Sequence, residues 1–105
     1  MSFRSRNPNF EFPYGTLRIV TKDSDYTLTA YDDGVLANGI ITITLPSSIG
    51  IKGRLYLIKR IFAGGPTTIQ TVLDQTIEGL ASPFIIVSVG NAATLLSDGN
   101  NWWII

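Results

Sequence analysis

Residues 40–46 read Ile-Ile-Thr-Ile-Thr-Leu-Pro (IITITLP), and this stretch decides the fold class. Ile41, Ile43 and Leu45 alternate with Thr42 and Thr44, the period of two that gives a strand one dry face and one wet face. Pro46 closes the run, because proline has no N–H to give to a sheet ladder. The same grammar repeats outward from this strand. Upstream, TLRIVT (16–21) and DYTLTA (25–30) flank Lys22-Asp23-Ser24 as a predicted hairpin, and YDDGVLANG (31–39), rich in turn formers, is predicted to be a loop. Downstream, RLYLIKRIF (54–62) lies between Gly53 and the punctuation Gly64-Gly65-Pro66. TTIQTV (67–72), TIEG (76–79), FIIVSV (84–89), ATLLS (93–97) and NWWII (101–105) follow, and Asp98-Gly99 is predicted to turn the last hairpin. β-branched and aromatic residues dominate these runs, and no segment shows a capped helical period. The expectation is an all-β chain: one jelly-roll-like β-sandwich of eight or nine short antiparallel strands over residues 16–105.

A chain of 105 residues has room for one domain. Hydrophobic residues make up 45% and charged residues only 15%, against about 25% in a typical soluble domain. A small domain has much surface for its volume, so scarce charge implies that other subunits cover part of it. Eight basic and eight acidic residues cancel, and no basic stripe exists, which removes the electrostatic footprint of a nucleic-acid binder. Near-zero net charge also favours self-association.

The chain has no cysteine and no histidine. Disulfides, thiolate metal sites and a Ser-His-Asp triad are thereby excluded. Asp23, Asp25, Asp32, Asp33, Asp74, Glu78 and Asp98 all fall in or beside predicted turns, where Asp bonds its own backbone. A glycosidase-type pair or an oxygen-ligated Ca²⁺ site is the competing reading, but no DxDxDG spacing occurs and solvated turns are expected. The expectation is a non-enzyme with no cofactor and no metal. No apolar run approaches the roughly 18 residues of a membrane span, and none near Met1 resembles a signal peptide, so export by lysis or assembly is expected.

Several strands are apolar on both faces. Leu55 and Leu57 oppose Tyr56 and Ile58; Ile85, Val87 and Val89 oppose Phe84 and Ile86; Trp102 opposes Trp103. One sandwich offers one inner face per sheet, so a surplus of apolar side chains must point outward. Leu55, Leu57, Ile85, Val87, Val89, Trp102 and Trp103 are accordingly expected to form a subunit interface. Local curvature with loops folded over is the competing explanation.

Residues 1–15, MSFRSRNPNFEFPYG, differ from the rest. Pro8 and Pro13 bias their predecessors toward extended backbone, so the segment reads as an N-terminal arm with a reach of roughly 45 Å. Phe10, Phe12 and Tyr14 fall on one side at period two, with Phe3, Arg4 and Arg6 nearby. An apolar side on a free tail invites docking, by strand addition to a neighbour's sheet edge or by folding back on its own domain.

The succession TITLPSSIGIKGRLYLIKRI (42–61), TIEG (76–79) and TLLSDGNNWWII (94–105) resembles a β-module that ends bacteriophage tail fibres and occurs in spore-surface fibres and collagen-like exosporium proteins. The resemblance covers about two-thirds of the chain, rests on turn and core positions, and implies a jelly-roll-like protomer assembling as a homotrimer. No Gly-X-Y stalk or coiled-coil stem accompanies the module here. The function so implied is a structural subunit of an extracellular fibre on a spore or virion surface, its trimers joined end to end by the arms. Its partners would be other copies of itself and a surface anchor protein or cell-surface glycan, with no nucleic acid. The alternative is a tail-fibre module recognising a receptor, carbohydrate or protein.

Overall fold

The computed structural model describes residues 16–105; the segment 1–15, and with it Phe3, Arg4, Arg6, Phe10, Phe12 and Tyr14, lies outside the described residues. The described chain is all-β, without a helix. Its strands are β1 (Ile19–Lys22), β2 (Tyr26–Thr27), β3 (Gly34–Ala37), β4 (Thr42–Thr44), β5 (Leu55–Arg60), β6 (Thr67–Gln70), β7 (Thr76–Ile77), β8 (Leu80–Ala81), β9 (Phe84–Ile86), β10 (Ala92–Ser97) and β11 (Trp102–Ile104). Two sheets form, in the orders β1-β3-β5-β10-β11-β7-β8 and β2-β4-β6-β9. We call them the large and the small sheet.

The pairing corrects the expected antiparallel topology. β1, β3 and β5 stack in parallel in the large sheet, and β2, β4 and β6 stack in parallel in the small one. The chain therefore winds as a coil through three rungs, alternating between sheets. Only afterwards do antiparallel strands close it: β10 beside β5, β11 beside β10, and β9 beside β6. The predicted hairpin at Lys22-Asp23-Ser24 is thus a crossover between sheets. Periodicity could not reveal this, because parallel and antiparallel strands share the period of two.

The predicted loop 31–39 is also corrected, since it contains β3, a central strand of the large sheet. Its turn-like glycine is there for close packing. A Cβ at Gly34 would lie 2.6 Å from the Leu57 carbonyl oxygen, on the neighbouring strand. Val35 and Ala37 then point inward and are buried.

One hydrophobic cluster joins both sheets. Ile41, Ile43 and Leu45 are buried as the alternation predicts, with Thr42 and Thr44 half-buried on the other side. In β5, Tyr56 and Ile58 point inward. Trp102, expected at the subunit interface, is 0% exposed and sits in the core, its ring 5.8 Å from that of Tyr56. Register explains the correction: Trp102 pairs with Ser97 and Ile77, both inward-facing, which leaves Trp103 for the outer face.

Gly34→Ala should therefore destabilise the fold by about 1–3 kcal/mol, as overpacking does. Gly53, around which a Cβ would meet nothing within 4 Å, provides the contrast. Gly53→Ala would pay only for its positive φ of 90°. Thermal unfolding of both variants checks this, and an unchanged Tm for Gly34→Ala would contradict the packing assigned to Gly34.

Candidate interaction surfaces

Parallel stacking gives the molecule two unlike ends. At the leading end, where β1, β3 and β5 begin, three charged residues stand directly before the strands: Arg18, Asp33 and Arg54. Asp33 Oδ2 accepts from the Arg18 backbone N–H at 2.7 Å and from Arg18 Nε at 3.2 Å. Arg54 Nη1 donates to Asp33 Oδ1 at 3.2 Å, and Arg54 Nη2 donates to the Asp32 carbonyl. The Arg54 guanidinium also lies 4.3 Å over the Tyr56 ring. One buried carboxylate thus ties the starts of three parallel strands.

Asp32 is buried as well, at 6% exposure, which corrects the reading of Asp32-Asp33 as a solvated turn. Its Oδ2 accepts from Tyr26 Oη at 2.6 Å, Thr29 N at 2.9 Å and Thr29 Oγ1 at 3.1 Å. Burial pushes the Asp32 pKa up, but the hydrogen bonds from Tyr26 and Thr29, helped by the Lys22 charge, outweigh it and hold the group below the usual carboxylate value. The same hydrogen bond raises the Tyr26 pKa, with burial and the Asp32 charge adding to it.

A second polar cluster at this end locks the loops. Ser48 Oγ and Ser97 Oγ lie 2.5 Å apart, and Ser48 N donates to Gln75 Oε1 at 2.9 Å. Ser97 Oγ donates to the Ser48 carbonyl, and Asn101 Oδ1 accepts from Thr76 N. All of these donors and acceptors satisfy one another or backbone, and no imidazole or thiol adjoins the serines to activate them.

The trailing end, where β1, β3 and β5 finish, is built differently. Loops 38–41, 61–66 and 87–91 meet there around Arg60, whose side chain is buried. Its Nε donates to the Phe62 carbonyl at 2.9 Å, Nη1 to Val87 at 2.7 Å and Nη2 to Ala63 at 3.3 Å. The guanidinium is a clamp on loop backbones. Those loops expose Ile40, Ile61, Val87 and Val89, with Ile40 packed against Gly65, where a Cβ would lie 2.4 Å from its Cγ1. The burial of Arg60 has no signal in the sequence.

The two outer faces also differ. On the large sheet, register places Ile19, Leu36, Leu55, Leu57, Leu96 and Trp103 on one outward side. None of these six is buried, and Trp103 is 40% exposed. Its Nε1 donates to Asp98 Oδ2 at 2.7 Å, which fixes the indole. Backbone N–H of Asn101, that indole and the N–H of Asn100 hold the Asp98 pKa down. The small sheet instead shows Thr27, Thr42, Thr44, Thr68 and Gln70 outward, with Ile85 beside Thr68. The expected interface set is therefore divided. Leu55, Leu57 and Trp103 share the large sheet's outer face, Ile85 lies on the small sheet's, Val87 and Val89 are on the trailing end, and Trp102 is inside.

Among the described residues, no three His, Cys, Asp or Glu side chains come together as a metal group, and no helix is long and apolar enough to cross a membrane. No family model matches the chain, and no curated protein matches it.

The Asp32 shift has a sign that acid titration can read. A carboxylate depressed in the folded state gives stability present above its unfolded pKa of about 3.9, lost as pH falls through its folded value. Asp98 acts in the same window and the same direction. Asp32→Asn should lose about 1–3 kcal/mol at neutral pH and show a shallower loss of stability below about pH 4 than the parent. Denaturant unfolding at neutral and acid pH measures both. Identical pH profiles would contradict the role given to Asp32.

Proposed function

We propose that this chain is a structural subunit of a self-assembling extracellular fibre, of the spore- or virion-surface kind, and has no catalytic role. In this reading the two sheets form a sandwich-type protomer, protomers associate as homotrimers, and residues 1–15 join trimers end to end. The observation that carries it is the outer face of the large sheet, where apolar side chains on five neighbouring strands lie side by side. Fully covering one large apolar side chain is worth roughly 1.5–3 kcal/mol, and contiguous patches of this kind mark association surfaces. Low charge and zero net charge agree with a surface mostly turned to other copies. The buried carboxylates and serines are consumed in strand-tying and loop-locking bonds, which leaves them architectural.

A second reading, a receptor- or glycan-binding module, draws on the Trp103 indole, exposed and held in place by Asp98. In that case Trp103 would be a stacking platform and not an interface residue.

Light scattering should give a homo-oligomer at micromolar concentration, most simply a trimer, and Leu57→Glu should shift it to monomer with the fold retained. Electron microscopy should show filaments for the whole chain and discrete oligomers for a chain starting at Tyr14. A monomeric parent protein defeats the subunit reading; discrete oligomers of the whole chain that bind glycans favour the second.

A further inference from the structure

Three Asx-Gly pairs occur in the chain: Asp33-Gly34, Asn38-Gly39 and Asp98-Gly99. Such a pair can react with itself. The glycine nitrogen closes a small ring on the side-chain carbonyl carbon of the residue before it, and no Cβ on the glycine hinders the approach. The reaction needs a side chain free to turn and a glycine N–H that no acceptor holds. The fold denies both at two of the pairs. Asp33 is buried and bonded to Arg18 and Arg54, and Gly34 N donates to the Arg18 carbonyl at 3.3 Å. Asp98 accepts from Asn100 N, Asn101 N and Trp103 Nε1, and Gly99 N donates to Ser97 Oγ at 3.1 Å.

Asn38-Gly39, in the crossover from β3 to β4, is built the other way. Asn38 is exposed, and among the described residues neither its carboxamide nor the Gly39 N–H has a hydrogen-bond partner. The backbone around the pair is held, since Asn38 N donates to the Lys22 carbonyl at 2.8 Å. A Cβ at Gly39 would lie 3.0 Å from the Asp23 carbonyl oxygen, so the position is suited to glycine, the residue that hinders ring closure least. The reacting atoms belong to adjacent residues, and their approach requires rotation only about bonds of Asn38 itself. A neutral carboxamide is also a better electrophile than the ionised carboxylates of the other two pairs.

We propose that Asn38 is a site of spontaneous deamidation and isoaspartate formation in the folded protein. The proposal is independent of the fibre reading. Base removes the Gly39 N–H proton, the nitrogen attacks Asn38 Cγ, and a C–N bond forms as the Cγ–Nδ2 bond breaks. The amide nitrogen departs as ammonia, taking up one proton, and leaves a cyclic imide. Water then opens the imide. Cleavage at Cγ gives aspartate at position 38, and cleavage at the backbone carbonyl gives isoaspartate, with the chain rerouted through the side chain. Each event adds one negative charge to a chain whose formal net charge is zero, so reacted copies gain mutual repulsion.

The whole protein is incubated at neutral and at mildly alkaline pH, sampled over weeks and mapped by peptide mass spectrometry. Isoaspartate is counted by methyl transfer from an isoaspartyl methyltransferase. Asn38 should lose its amide roughly tenfold or more faster than any other asparagine of the chain, at a rate that climbs with pH. The methyl label should appear in the peptide that holds position 38. Asn38→Gln, whose longer side chain must close a larger ring, should fold as the parent does, keep its charge and take up no label. Another asparagine that reacts first overturns the proposal, as does label that survives Asn38→Gln. An Asn38 that persists in the folded chain while reacting in the same chain under denaturant overturns it too.

Discussion

The Asp33 carboxylate is the constraint from which the rest of the structure follows. It sits at the start of β3, nearly sealed from solvent, and accepts hydrogen bonds from Arg18 before β1 and Arg54 before β5. A buried carboxylate left without such partners costs several kcal/mol, so the arrangement punishes any register that separates these residues. Net stabilisation from a buried pair is small, and its value here is positional: three parallel strands must begin together. Gly34, the next residue, lets β3 approach β5 closely enough to complete the ladder.

Parallel order, once fixed, makes the molecule directional. Every passage from the large to the small sheet in the three rungs occurs at one end, and every return at the other. Polar networks gather at the leading end, among Asp32, Asp33, Ser48, Gln75 and Ser97. The trailing end holds its loops with Arg60, and both ends turn apolar side chains outward, Ile40 and Val87 at this one and Ile49 and Leu73 at the other. An all-antiparallel sandwich has no such built-in polarity. The coil has unlike ends, and the large sheet turns an apolar outer face to solvent.

Much of this was legible residue by residue. The alternation in IITITL named its buried side, and Asp98-Gly99 does turn β10 into β11, with Gly99 at a φ of 96°. Glu78-Gly79 likewise turns β7 into β8. The stretch 31–39 was misread because Asp, Asp and Gly are turn formers in isolation. Here Asp33 is consumed by the distant Arg18 and Arg54, Asp32 is sealed in by Tyr26 and Thr29, and the glycine answers to a carbonyl 23 positions along the chain. Trp102 and Trp103 must lie on opposite faces of any strand, but which faces inward depends on the register with Ser97.

By itself, then, the sequence determined the strand content, the alternating faces, several turns and the exclusion of imidazole and thiolate chemistry, because these depend on residue type and local spacing. Strand order, the parallel coil, the burial of Asp32, Asp33 and Arg60, and the split of the apolar surplus among two faces and one end were decided only by tertiary structure. The physical reason is that side chains alternate with the same period whatever the direction of the neighbouring strand. Direction is chosen by contacts between residues far apart in the chain, such as Arg18 with Asp33 and Asp33 with Arg54.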